Sequence, residues 1–371
     1  MSEVDDPKQQ KANPDPLPPL EVPYRDISGL LNPGGERRHS LRGFQDEYVD
    51  IVHYIVKCTH DIWEGGGIGL IYTHYSHNVR VHTSDGLTYG RDWMIENTVQ
   101  RQAGFPNARA YADDVIWSGD DVNGFHSSHR VLNIARNTGY SVYGPPTGRW
   151  IRRYGVAHCF VLENKIVEEW LVFDGLAIVR GLGLDPHAWA KTLAQAEADA
   201  GFIPSESFGD VEHRRGQEPP ALEPTELGAS DVEALVRRSI HEVWNWRLLN
   251  KIDTYYAPNL TCYTTGNRIL YGLGDYRHNL TALLAAFPDA LIQVDHSCAL
   301  PNGDGGYYRV ATRWTLLGTH TGPGWYGRPT GKRVRLMGIS HSEVENDKIT
   351  REWLLYDEMA LLKQLQSPAR A

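Results

Sequence analysis

The chain has 371 residues, 41% of them hydrophobic and 22% charged, the balance of an ordinary globular protein. Its 37 Lys and Arg against 46 Asp and Glu leave a net charge of −9, which argues against a nucleic-acid phosphate backbone or an anionic membrane as partner. No stretch approaches the roughly 18 apolar residues of a spanning helix. The segment Met1–Pro7 lacks the basic and then apolar layout of a secretory leader, so a cytoplasmic location is expected. Cys58, Cys159, Cys262 and Cys298 are too scattered for a disulfide framework or a zinc knuckle, and read as buried reduced thiols.

In chain order, residues 1–44 are rich in Pro, Asp, Lys and Gln and read as an extended arm. From Leu41 to Trp63, apolar positions including Val49, Ile51, Val52, Ile55, Val56, Cys58 and Ile62 recur at helical spacing. A strand pair, Val79–Thr83 and Leu87–Tyr89, turns at Asp85-Gly86. A helix from Trp93 to Ala103 is ended by Phe105-Pro106. Four further strands close on a hairpin, Ile151–Leu162 and Val167–Phe173, across Glu163-Asn164. A short helix (His187–Ala198) precedes a Glu/Pro-rich linker, 201–228. A second helix then runs from Asp231 to Trp244, and strands Leu260–Thr264 and Ile269–Tyr271 follow. Next come a helix, Tyr276–Ala286, and strands Leu291–Ala299, Tyr307–Gly318, Arg333–Val344 and Ile349–Tyr356.

That list repeats itself because the sequence does. Tyr326-Gly327-Arg328-Pro329-Thr330-Gly331-Lys332 answers Tyr143-Gly144-Pro145-Pro146-Thr147-Gly148-Arg149 at an offset of 183 residues. At the same offset Gly338 falls on Gly155, His341 on His158, Glu352 on Glu169, Trp353 on Trp170 and Asp357 on Asp174. Upstream the offset is 181, pairing His60 with His241, Trp63 with Trp244 and Tyr75 with Tyr256. So small a drift means one domain duplicated, giving units at 45–200 and 229–371. Helices followed by a long antiparallel sheet define an α+β class.

The run Arg313-Trp314-Thr315-Leu316-Leu317-Gly318-Thr319-His320-Thr321-Gly322, followed by Pro329–Val334 and Lys348–Trp353, resembles the SnoaL-like polyketide cyclases. The resemblance implies two tandem cone-shaped α+β domains of the nuclear-transport-factor-2-like (cystatin-like) superfamily, each a curved antiparallel sheet with helices on its concave face. Such sheets commonly pair face to face, so a pseudo-dimer within one chain is expected, with further homo-oligomers possible. The superfamily includes cyclases, isomerases, dehydratases and lyases as well as binding modules. The resemblance also implies an acid/base aspartate after the last-strand tryptophan, where this chain has Leu171 and Leu354. The base position of the related ketosteroid isomerases is Thr83 and Thr264 here.

The acid/base residues must therefore come from elsewhere. Nine of the 16 histidines fall in or just past the first copy, and imidazole suits proton transfer near neutral pH. His82 and Asp113 are the expected proton carriers, His126 or His129 the group that orients a substrate oxygen, and Tyr72 a hydrogen-bond donor. Trp63, Tyr75, Trp93 and Trp117, with Tyr263 and His320 of the second copy, are the expected substrate contacts. Paired-copy differences, with His82 against Tyr263, His126 against Tyr307, His129 against about Thr312, and Gly65-Gly66-Gly67 against Asn245-Trp246-Arg247, make copy one the reactive cone. His158 and Asp174, kept in both copies, read as structural. Alternation puts His158 opposite Trp170 and on the face away from Leu171. Residues three apart on a strand point to opposite faces, so neither His126 with His129 nor His74 with His77 makes a metal site. The expectation is a cofactor-free, metal-free acid/base enzyme acting on a small, largely apolar, carbonyl- or hydroxyl-bearing substrate. The alternative is a non-catalytic small-molecule-binding or assembly protein that has lost the family acid.

Overall fold

The computed structural model describes residues 28–201, 231–302 and 306–368, so most of the arm and the linker lie outside it. In copy one, α1 (Ser28–Leu31), α2 (Ile51–Trp63) and α3 (Ile71–His74) lead into β1 (Tyr75–Thr83), β2 (Gly86–Tyr89) and α4 (Arg91–Gly104). Strands β3 (Arg109–Asp120), β4 (Gly124–Arg136), β5 (Trp150–Leu162) and β6 (Lys165–Phe173) follow, then α5 (Gly175–Gly181) and α6 (Pro186–Asp199). Copy two repeats the order: α7 (Asp231–Ser239), α8 (Ile252–Tyr255), β7 (Tyr256–Thr264), β8 (Arg268–Tyr271) and α9 (Gly272–Ala286). It continues with β9 (Leu291–Pro301), β10 (Tyr308–Thr319), β11 (Arg333–Glu345), β12 (Lys348–Tyr356) and α10 (Glu358–Gln366).

Each copy makes one six-stranded sheet, ordered β2-β1-β6-β5-β4-β3 and β8-β7-β12-β11-β10-β9. The α+β cone is therefore present twice, with one correction. The sheets are mixed, because β1 pairs β6, and β7 pairs β12, in parallel. The remaining strands form hairpins and a meander, which must be antiparallel, whereas β1 is brought beside the last strand by long connections. The closing hairpins turn at Glu163-Asn164 (φ 47° and 65°) and Asn346-Asp347 (φ 50° and 57°), the paired positive φ that a right-twisted two-residue turn needs.

One local expectation changes. The helix expected from Leu41 starts at Ile51, where Asp50 in extended backbone accepts a 2.7 Å bond from the His53 amide and so caps it. Leu41, Phe44 and Tyr48 instead lie buried in the copy-one core as a non-helical strap. In copy two the helix passes through a π-helical turn (Ile240–Asn245) and stops at the same level, with Arg247 at φ 58° where Gly66 has 75°.

Strand alternation sorts each sheet into two faces. Phe125, Val115, Cys159 and Val161 pack inward with α2 residues Ile51, Ile55, Cys58 and Ile62. On the other face Leu132, Tyr154, Val156, Trp170 and Val172 pack against Met337, Ile339, Trp353 and Leu355 of copy two, so the two sheets meet back to back. All four cysteines are buried and free. Among the described residues no helix is long and apolar enough to cross a membrane.

Gly338 shows how tight the packing on the inner face of copy two is. The Trp314 ring lies flat over it while the indole N–H donates to Ser340 Oγ at 3.0 Å, and a Cβ at 338 would overlap the ring. Gly338→Ala is expected to lower stability by about 1–3 kcal/mol through overpacking, read from denaturant midpoints. An unchanged midpoint would show that the ring moves freely.

Candidate functional site

The inner face of copy one carries a buried carboxylate. β4 pairs Ser127 with Cys159 of β5, and β5 pairs Cys159 with Glu169 of β6, so one row crosses three strands. Glu169 is 2% exposed and accepts from the Tyr75 hydroxyl at 3.2 Å and from the Cys159 thiol at 3.5 Å. Burial pushes its carboxyl up to about 7, against the lowering effect of those two donors. Glu352 is its counterpart in copy two, likewise raised by burial to about 7 against bonds from Tyr276, Cys262 and Ser342. What separates the copies is the rest of the face. Ser127 Oγ and His129 Nε2 are buried without a protein partner, while the register places Val310 and Thr312 at those positions in copy two. His129 Nδ1 sits 3.2 Å from Thr59 Oγ1, and burial followed by the nearby His341 lowers the imidazole to about 4, so it is neutral.

Because Glu169 and Glu352 ionise in the unfolded chain near 4.5 but in the folded one near 7, their favourable contribution is complete below about 4.5 and is lost as pH rises through 7. Replacing both with Gln should therefore flatten the fall in stability between pH 5 and 8, each carboxyl accounting for about 3 kcal/mol at most. Parallel pH–stability curves for wild type and the double variant would mean that neither group is held protonated.

The residues expected to form the site occupy several places. His82 lies on the outer face, stacked on Trp170 at 5.1 Å, with Nε2 2.7 Å from Glu168. Tyr263, its counterpart, stacks on Trp353 in the same way at 5.2 Å. A bulge between Ala112 and Asp114 lets both Asp113 and Asp114 reach the outer-face Arg130, and Asp113 binds it at 2.7 Å. His126 is also on the outer face, 4.8 Å ring to ring from Phe160, while His129 faces inward. Tyr72 is half exposed at the surface beneath the Arg91 guanidinium. Tyr75 is the inner-face partner of Glu169, and Trp63, Trp93 and Trp117 pack against the copy-one core as partly buried rings. His320 is fully buried and receives the Thr330 amide at its Nδ1 (3.3 Å) to hold the 320–331 loop, as Asn137 Oδ1 receives Thr147 N at 2.7 Å. Asp174 caps α5 and accepts from the Gly266 amide of the other copy at 2.8 Å.

Glu169 and Glu352 are the residues that sequence reasoning passed over. The usable signal was present: both are kept by the two copies, and both lie two residues before the leucines at 171 and 354, hence on the same face. A separate cavity of about 240 Å³ opens between the sheets, lined by His82, Trp170, Asp295, Arg313, Thr315 and Arg335 among others.

The profile of the SnoaL-like polyketide cyclase family matches residues 53–182 and again 234–365, and the chain belongs to that family, carrying its domain in tandem. Among solved structures the chain is similar to a provisionally assigned polyketide cyclase from Acidithiobacillus ferrooxidans, at 24% identity and TM-score 0.34, over 38% of this chain and 99% of that one. It is also similar to AclR, a provisionally assigned hydroxylase from Streptomyces galilaeus (24% identity, TM-score 0.32, 38% of this chain and 88% of that one). IdmH, a provisionally assigned polyketide cyclase from Streptomyces antibioticus, gives 21% identity and TM-score 0.31 over 37% of this chain and 99% of that one. No curated protein matches the chain.

Proposed function

We propose that the copy-one cone is an acid/base active site of cyclase or isomerase type, with Glu169 as the proton carrier. The observation that supports this is a buried carboxylate whose carboxyl burial raises to about 7, on the same face as two polar atoms with no protein partner, Ser127 Oγ and His129 Nε2. A base near pH 7 in apolar surroundings suits removal of a proton beside a carbonyl. Glu169 takes that proton, Tyr75 keeps the carboxylate oriented, and Ser127 or His129 donates to the oxygen on which charge develops. The proton held by Glu169 is then returned: to the oxygen of a second carbonyl on which the carbanion closes, to another carbon, or to a β-hydroxyl that leaves as water, giving cyclisation, isomerisation or dehydration. The substrate class is a small, largely apolar molecule bearing carbonyl or hydroxyl groups. Copy two keeps the carboxylate but offers Val310 and Thr312 instead, and serves as scaffold or binding domain.

The test is turnover of a panel of hydroxylated aromatic and polyketide-like substrates by wild type, Glu169→Gln, Glu352→Gln and His82→Ala. Loss confined to Glu169→Gln supports the reading. Loss confined to His82→Ala moves the chemistry to the cleft between the sheets. Substrate binding with no turnover by any form would make this a binding protein.

A further inference from the structure

The back-to-back contact contains the same four positions twice, filled differently. By strand register His158 corresponds to His341, Arg130 to Arg313 and His126 to Arg309; the last replaces the pairing with Tyr307 expected from sequence. In the same way Asp114 corresponds to His296. At one end Asp114 binds Arg309, lies 3.9 Å from Arg130 and 3.8 Å from His341 Nδ1, and Ser128 Oγ sits 2.8 Å from His341 Nε2. Every charge there is answered. At the other end the acid has become His296 and the arginine has become His126, while His158 stays. The serine that binds His341 has become Ala311, so His158 has no hydroxyl to bind.

Three imidazoles from three strands therefore converge where an ionic group stood. Their ring centroids are 4.4 Å apart for His126 and His296, 4.8 Å for His158 and His296, and 5.6 Å for His126 and His158. One nitrogen from each lies within 4.8 Å of the others. His158 is fully buried, and neither of its ring nitrogens has a protein partner; His126 Nδ1 and His296 Nδ1 are likewise unpartnered. Buried polar atoms left in this way point to a missing partner. Tetrahedral zinc with Zn–N near 2.05 Å sets its ligand nitrogens about 3.3 Å apart, which side-chain rotation can reach from the observed separations.

We infer that His126, His158 and His296 form a transition-metal site of the Zn²⁺ type that ties the two sheets together. The set is all-imidazole, drawn from three strands, and imidazole nitrogen is a common ligand of this class of ion. Arg313 opposes a second cation, but it is drawn aside by Asp295 at 3.8 Å and by the face of Trp170 at 3.9 Å. Three protein ligands leave one position for water or a small anion. The site is on the opposite side of the sheet from Glu169 and does not depend on the role given to that residue. It also departs from the metal-free expectation, which weighed only pairs close in sequence.

The experiment uses the untagged full chain, stripped with chelator, dialysed against Zn²⁺ or Co²⁺ and assayed for bound metal. One equivalent per chain is expected, with a rise in melting temperature and the strong visible absorption of tetrahedral Co²⁺. The matching variant is His126→Arg with His296→Asp, which installs the ionic set already tolerated at the other end, so folding is retained. It should lose the equivalent, the thermal shift and the Co²⁺ band. Metal bound equally by the variant, or no saturable equivalent in wild type, would overturn the site.

Discussion

Glu169→Gln should reduce turnover by roughly two to four orders of magnitude, the usual worth of a general acid/base, while leaving the fold intact. Glutamine has the size of the carboxylic acid and still offers a carbonyl oxygen to the Tyr75 hydroxyl, which bonds Glu169 at 3.2 Å. Only the ability to accept and return a proton is removed. If Glu169 acts as the base, kcat/KM for wild type should rise with pH through about 7, where burial has placed the carboxyl. That rise should vanish in the Gln variant. Glu352→Gln should change the rate little, because its cone presents Val310 and Thr312 where copy one has Ser127 and His129. Equal losses from the two substitutions would refute the division of labour between the cones.

Asp114→Ala should cost about 3–5 kcal/mol of stability, the range for breaking a buried ion pair by removing one partner. The Asp114 side chain is 6% exposed and faces Arg309 (18%) and Arg130 (4%). Burial alone would raise its carboxyl, but contact with His341 and the charges of Arg130 and Arg309 outweigh this and hold it below the usual range. A depressed carboxylate contributes fully above its ordinary value near 3.8 and loses that contribution as pH falls below it, so the loss should be complete at pH 7 and shrink in acid. Truncation leaves two guanidinium groups in a desolvated contact with only Asp113 near Arg130. Urea unfolding at pH 7 and pH 3 would measure the effect. A difference below 1 kcal/mol at neutral pH would mean that water reaches the cluster. Removing Arg309 together with Asp114, both to leucine, should recover much of the loss, since an apolar replacement leaves less charge unanswered.

Several features were legible in the chain alone because they are local or periodic. Duplication follows from motif order, and the hairpin turns follow from Glu163-Asn164 and Asn346-Asp347 between apolar strands. The side of the sheet taken by His158 follows from strict alternation relative to Leu171, and the structure places it there. The cap at Asp50 was missed because apolar spacing continued past it, and spacing cannot tell a helix from a buried strap. Glu169, the proposed proton carrier, was passed over for a different reason. A glutamate next to another glutamate, Glu168-Glu169, looks like a charged edge until burial shows that one ionises against Arg80 and His82 while its neighbour is sealed in the core.

The amino-acid sequence by itself determined that two cones exist, that His158 lies on the face away from Leu171, and that the copies diverge in histidine content. Only the tertiary structure decided which polar groups meet. A bulge at Asp113 turns two successive acids to one side, and a back-to-back contact brings residues 126, 158 and 296 together. Pairwise chemistry across such a contact depends on register between separate strands and on the water excluded there, and neither is written in the spacing along one strand.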